Sequence, residues 1–224
     1  MAPDLRLETI DSDGALAEAF GGLHGQTRGD LLRGALVGSG ALLAACAAPA
    51  AAAAATTRDT AILNFALTLE ELQAAFYTEV ERIGALTGEL ATQARVVGGH
   101  ERAHVRALRD VLGRRAVTGG RYDFRGATED AARFRKTSVA FEDLAVAAYK
   151  AQAPKVRDDH LLASLLAIHS VEARHAAWIR RLAQAPPAAN AFDDPLSRAR
   201  VLRVVDRTRF VARTASRRTP PFTG

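Results

Sequence analysis

The feature that most restricts how this 224-residue chain can fold is a pattern it carries twice. Glu70 stands seven residues before Tyr77 and is followed by Glu101-Arg-Ala-His104. Glu142 stands seven before Tyr149 and is followed by Glu172-Ala-Arg-His175. The interval from the lone Glu to the Glu-x-x-His is 31 residues in the first half and 30 in the second. Residues three apart on a helix lie about 60° apart round the axis and one turn along it, so Glu and His can aim at one point. Seven residues make almost two turns, which predicts that each Glu shares a stripe with its Tyr roughly 10 Å away. Four such helices with stripes inward bring four carboxylates and two imidazoles to the centre of a bundle. Unpaired, those groups would protonate or unfold an apolar core. Two divalent cations would neutralise them.

The rest of the pattern supports four helices. The first is predicted from about Asp59 to Gly84, capped by Thr57 or Asp59, with Ile62, Leu63, Ala66, Glu70, Gln73 and Tyr77 on one face. Glu71 points about 100° away from Glu70 and is left outside the site. The second, about Gly88 to Gly113, carries His100, Glu101 and His104. His100 and His104 are four apart and could pair on a metal. Glu101 with His104 is preferred because only that choice repeats, which leaves His100 in a supporting position or at the surface. Arg114–Gly126, broken by Gly119-Gly120, reads as a long crossover between two hairpins. The third helix is predicted from near Thr128-Glu-Asp130 to about Gln152, with Pro154 stopping it and Asp143 outside the site. The fourth runs from about Asp158 to Gln184, before Pro186-Pro187, with His169 read as a core residue. Asp194-Pro195 would open a short fifth helix through about Arg213, with six arginines along it.

Ahead of the bundle, residues 1–27 show no sustained apolar periodicity. Arg28 and Arg33 then precede an uncharged run from Gly34 to Ala55 whose strongly apolar part is nearer twelve residues than twenty. A basic flank, a short apolar stretch and small residues describe an export signal rather than a membrane span. Thr27–Arg33 resembles a twin-arginine motif with Gly in place of the second Arg. Leu43-Ala-Ala-Cys46 resembles a bacterial lipobox, in which Cys46 would carry the lipid; the alternative is cleavage within 47–55. Cys46 is the sole cysteine, which excludes an intramolecular disulfide and a thiolate metal cluster. The chain is basic, at +5, and 27 of its 30 basic residues are Arg. Without residues 1–45 the net charge becomes +8, which favours anionic surfaces.

Ile62-Leu-Asn-Phe-Ala-Leu-Thr-Leu-Glu70, Ser170-Val-Glu-Ala-Arg-His-Ala-Ala-Trp-Ile179 and the six-residue Glu/His set resemble the ferritin-like superfamily. Within it the chain is similar to the exported bacterial ferritin-like domain family related to plant desiccation-induced proteins. The resemblance covers roughly residues 58–184. It implies an all-α, antiparallel four-helix bundle over 58–185, with residues 1–55 as export signal and linker and 186–224 as a basic extension. It also implies that Glu101 and Glu172 bridge two metals, Glu70 and Glu142 are terminal carboxylates, and His104 and His175 are terminal nitrogen donors. A mixed O/N set with open positions suits Fe or Mn. Tyr77 and Tyr149 would sit within reach of the cavity as tentative catalytic residues.

The activity implied is redox chemistry with O2 or peroxide in the cell envelope, of a ferroxidase, peroxidase or catalase kind. The alternative is a non-catalytic metal protein of stress or desiccation protection. No rubredoxin-type cysteine site is present. The implied partners are O2 or peroxide, an electron donor, an anionic membrane surface and a second copy of the chain. No nucleic acid is implied.

Overall fold

The computed structural model describes residues 56–212. The reading of residues 1–55 as export signal, with Cys46 and the lipobox, lies outside the described residues, as does the end of the chain from residue 213 onward. Among the described residues the protein is all-helical, with one isolated bridge between Tyr122 and Val211. It forms a four-helix bundle of two antiparallel hairpins plus a short C-terminal helix. No described helix is long and apolar enough to cross a membrane.

Helix α1 (Thr57–Ile83) starts two residues before the expected Asp59, with its cap one residue before Thr57. Thr56 is the cap, its hydroxyl accepting from the Asp59 amide at 3.1 Å. Asp59 is instead fully buried and accepts the Arg157 amide at 3.1 Å, which ties the start of α1 to the turn before the last bundle helix. Gly84 ends α1 at φ +67°, a conformation in which a Cβ would be strained. Helix α2 (Gly88–Leu112) returns along α1. They pack tightly at Gly98, where an added Cβ would lie 2.8 Å from the Tyr77 Cβ and 2.5 Å from Glu81 Oε1. The Tyr77 Cβ belongs to a fully buried residue and cannot retreat. Gly98→Ala should therefore cost about 1–3 kcal/mol of stability, the usual penalty for overpacking a core, seen as a lower thermal midpoint. An unchanged midpoint would mean the two helices are free to part.

The crossover after α2 runs the length of α1. It begins beside Asn64, whose side chain donates to the Arg115 carbonyl and accepts from the Val117 amide. It ends where Thr128 donates to Glu79 Oε1 at 2.9 Å. Fifteen helical residues, from Asn64 to Glu79, span roughly 22 Å. A crossover that long makes helix α3 (Ala131–Gln152) antiparallel to α1. Of the expected start at Thr128-Glu-Asp130, Thr128 is fully buried on Glu79. Asp130 is the cap, accepting from the Arg133 amide at 2.8 Å.

After a 3-10 turn containing Pro154, helix α4 (Asp159–Leu182) completes the bundle, capped by Asp158. It stops short of Gln184, which takes φ +60°. Helix α5 (Arg198–Thr208) begins four residues after the expected Asp194. The Leu196 amide donates to the Ala147 carbonyl, holding the preceding segment on α3, and Ser197 caps. Val201 and Val205 are buried, so α5 is an amphipathic helix packed on the bundle. Phe210 then meets Phe124 of the crossover and Phe141 of α3, and residues 210–212 pair with 121–123.

Two apolar clusters fill the core. One centres on Phe76, whose ring packs on Phe124, Phe134 and Phe141 at 5.2–5.6 Å. The other gathers Leu63, Leu67, Leu108, Leu112, Tyr149 and Leu165. Between them is a polar waist.

Candidate metal centre

All six Glu and His side chains singled out by their spacing meet at that waist. Glu101, Glu142 and Glu172 are fully buried, Glu70 and His175 nearly so, and the His104 side chain is 13% exposed. They form two donor groups: Glu70, Glu101, His104 and Glu172, and Glu101, Glu142, Glu172 and His175. Within each group, ligand atoms lie within 4.8 Å of one another. Glu101 and Glu172 belong to both.

The shared carboxylates divide their oxygens between the groups. Glu101 turns Oε2 toward His104 Nδ1 (3.7 Å) and Oε1 toward His175 Nδ1 (3.0 Å). Glu172 turns Oε1 toward His104 Nδ1 (3.1 Å) and Oε2 toward His175 Nδ1 (3.6 Å). The other two carboxylates each keep one oxygen inward. Glu70 Oε2 lies 3.1 Å from His104 Nδ1, while its Oε1 accepts from the Tyr149 hydroxyl at 2.5 Å. Glu142 Oε2 lies 3.6 Å from His175 Nδ1, while its Oε1 accepts from the Tyr77 hydroxyl.

The stripe reading set each tyrosine two turns from its own Glu and named no partner for its hydroxyl; the structure supplies one. Seven residues along one helix leave Glu70 and Tyr77 too far apart to bond. The antiparallel register of α1 and α3 instead sets Tyr77 opposite Glu142 and Tyr149 opposite Glu70. Each half of the repeat supplies the hydroxyl for the other half's carboxylate.

Three further side chains take part: Gln73, which spacing puts on the inward face, His100, and Ser138, which spacing did not single out. Ser138 shares a 2.5 Å hydrogen bond with the Tyr77 hydroxyl, Gln73 donates to Glu142 Oε2 at 3.4 Å, and His100 Nδ1 lies 2.9 Å from His175 Nε2. Ser138 stands one turn before Glu142 and Gln73 lies three after Glu70. Polar residues at core-facing positions were the available signal. His100 occupies one of the two places anticipated for it. Glu71 pairs with Arg109 and Asp143 with Arg180, both outside the donor groups, and His169 also stays outside them.

A sequence profile of the ferritin-like domain matches residues 58–185. The chain belongs to the ferritin-like domain family. A search of curated protein sequences returned no match.

The buried carboxylate and histidine cluster of this ferritin-like protein fits a metal-binding site. Both oxygens of Glu101, both of Glu172 and His175 Nδ1 are buried without a hydrogen-bond partner. The imidazoles come close to these oxygens, but those approaches lack hydrogen-bond geometry. Five converging orphaned polar atoms in a dry interior would be costly unless something charged sat among them.

Protonation supplies that charge when no cation does. Burial, reinforced by the charges of Glu172 and Glu70, pushes the Glu101 carboxyl well above the usual range. Burial, with the charge of Glu172 behind it, takes Glu142 up to about 7, against the pull of His175 and Tyr77. Burial also acts to raise Glu172, but the two imidazoles outweigh it and hold that group at about 2. Of the two shared carboxylates, one is thus protonated and the other ionised, burial and mutual repulsion acting together. Burial acts to lower both histidines, yet the surrounding carboxylates raise His175 to about 12 and His104 likewise upward. Burial and the neighbouring imidazoles lower His100, which keeps it neutral. Tyr77 and Tyr149 are pushed well up by burial and by the carboxylates they face, so both remain hydrogen-bond donors.

Proposed function

We propose that the six residues hold two divalent Fe or Mn cations and that the site carries redox chemistry with O2 or a peroxide. The observation supporting this is the division of Glu101 and Glu172, each turning one oxygen to each donor group. Two adjacent redox-active ions, when bound, can together exchange two electrons with O2 or peroxide. The chain's own part is to hold the donors. His104 and His175 offer Nδ1, Glu70 and Glu142 offer one oxygen each, and the tyrosine hydroxyls keep the second oxygen of each turned away. The apolar clusters above and below pack the site from both ends, while the His104 and His100 edges lie nearest the surface.

The test is metal analysis of the purified protein, then anaerobic Fe(II) loading and exposure to O2 or peroxide. Two metals per chain with rapid oxidation support the reading. A chain that binds two metals and stays redox-inert would favour the non-catalytic, stress-protection alternative. Neither metal bound would remove both.

The tyrosines give a finer check. Tyr149→Phe frees Glu70 Oε1 and Tyr77→Phe frees Glu142 Oε1. Each should weaken one cation position by roughly 10–100-fold while both positions still fill at saturating metal. Affinities that do not move would show that the hydroxyls serve packing only.

The proposed setting is the cell envelope, with the chain lipid-anchored through Cys46 and its +8 remainder against anionic headgroups. Cys46→Ala should release the protein from the membrane fraction; retention there in full would rule out that anchor.

A further inference from the structure

The two halves of the site are not equivalent, and the difference is His100. The Glu-x-x-His of the second half lies 71 residues beyond that of the first, so the residue matching His100 is Val171, which has no hydrogen-bonding side chain. Only the first half therefore brings a third imidazole to the waist. His100 sits at the exposed edge of α2, and its Nδ1 is 2.9 Å from His175 Nε2. The two ring planes are within 16° of parallel with centroids 5.2 Å apart, so the rings meet edge to edge rather than face to face. That is the arrangement in which an in-plane N–H points at an in-plane lone pair.

The direction of the bond follows from the other nitrogen. His175 presents Nδ1 to Glu101, Glu142 and Glu172. A cation held there would use the Nδ1 lone pair, which would leave the proton on Nε2 to donate a hydrogen bond to His100 Nδ1. A histidine whose outer N–H is engaged is fixed in tautomer and ring orientation and is a stronger donor to its cation.

Resting on the two-cation reading above, we propose that His100 is a positioning residue for His175 and makes the two cation positions unequal. The position formed by Glu101, Glu142, Glu172 and His175 fills first; the one formed with Glu70 and His104 fills second.

The experiment titrates the metal-free full chain with Mn(II), following free Mn(II) by electron paramagnetic resonance. The parent should bind in two steps at least tenfold apart. In His100→Val, which gives the first half the residue of the second, the tighter step should weaken by roughly 10–100-fold and the steps should merge. His100→Gln, whose side-chain carbonyl can accept the same N–H, should restore most of the separation. Thermal midpoints of the metal-free variants, measured alongside, separate a loss of fold from a loss of affinity, and His100→Gln keeps the acceptor for the buried His175 N–H. Two equal steps in the parent, or an unaltered titration in His100→Val, would overturn this inference and leave the two-cation reading standing. A parent that takes up no Mn(II) or Fe(II) overturns both.

Discussion

Glu101→Gln should yield a metal-free protein that is harder to unfold than the parent and can no longer hold a pair of cations. The reason is that this carboxyl is buried, lacks a hydrogen-bond partner and is held protonated by burial and by its acidic neighbours. The unfolded chain would ionise it near 4.5. Folding at pH 7 must therefore return a proton to it, at about 1.4 kcal/mol for each pH unit above 4.5, or roughly 1–3 kcal/mol after allowing for relaxation. Glutamine has the shape of the protonated acid and carries no such cost. It also has only one acceptor oxygen to offer, so it cannot serve both donor groups. Urea unfolding should show a higher midpoint for the metal-free variant, and metal analysis should show at most one cation where the parent holds two. A variant that retained both cations would overturn the place given to Glu101. A lowered midpoint would mean that the carboxyl stabilises the fold without metal.

The second large effect is an opposite pH dependence with and without metal. Glu142 and His175 have folded pKa values raised to about 7 and about 12, and Glu101 and His104 are raised as well. Each contributes stability that is complete below its unfolded pKa and lost as pH rises through the folded one. The carboxyls begin to lose it near pH 4.5 and the histidines near 6.5. Glu172, depressed to about 2, contributes in the other sense, and its share is lost only as pH falls from 4.5 toward 2. Metal-free protein should accordingly be more stable at pH 5 than at pH 8.

Cations reverse this, because every donor must shed its proton to bind. At pH 7 the two histidines and Glu101 are protonated and Glu142 is about half so, which gives roughly three to four protons released on full loading. Calorimetry in buffers of different ionisation heat would count them. Loading without proton release would mean that the six groups are not the ones that bind.

How much of this was legible beforehand depends on the range of the interaction concerned. The convergence of Glu70, Glu101, His104, Glu142, Glu172 and His175 could be anticipated because helical period is local and the pattern occurs twice. Helix number and the long crossover were readable for the same reason. Caps were less so: Thr56 won over Thr57 and Asp59, Asp130 was one of three adjacent residues offered for α3, and Ser197 won over Asp194. Neighbouring candidates are chemically alike, and tertiary bonds such as Thr128 to Glu79 claim some of them first.

By itself the sequence determined which side chains face the waist, since residue spacing sets the angle round a helix axis whatever lies outside it. Only the tertiary structure decided which of them touch. Tyr77 reaches Glu142 and not Glu70, and His100 reaches His175, because the relative height of two antiparallel helices is set by packing between residues far apart in the chain. Spacing within one helix carries no record of that height.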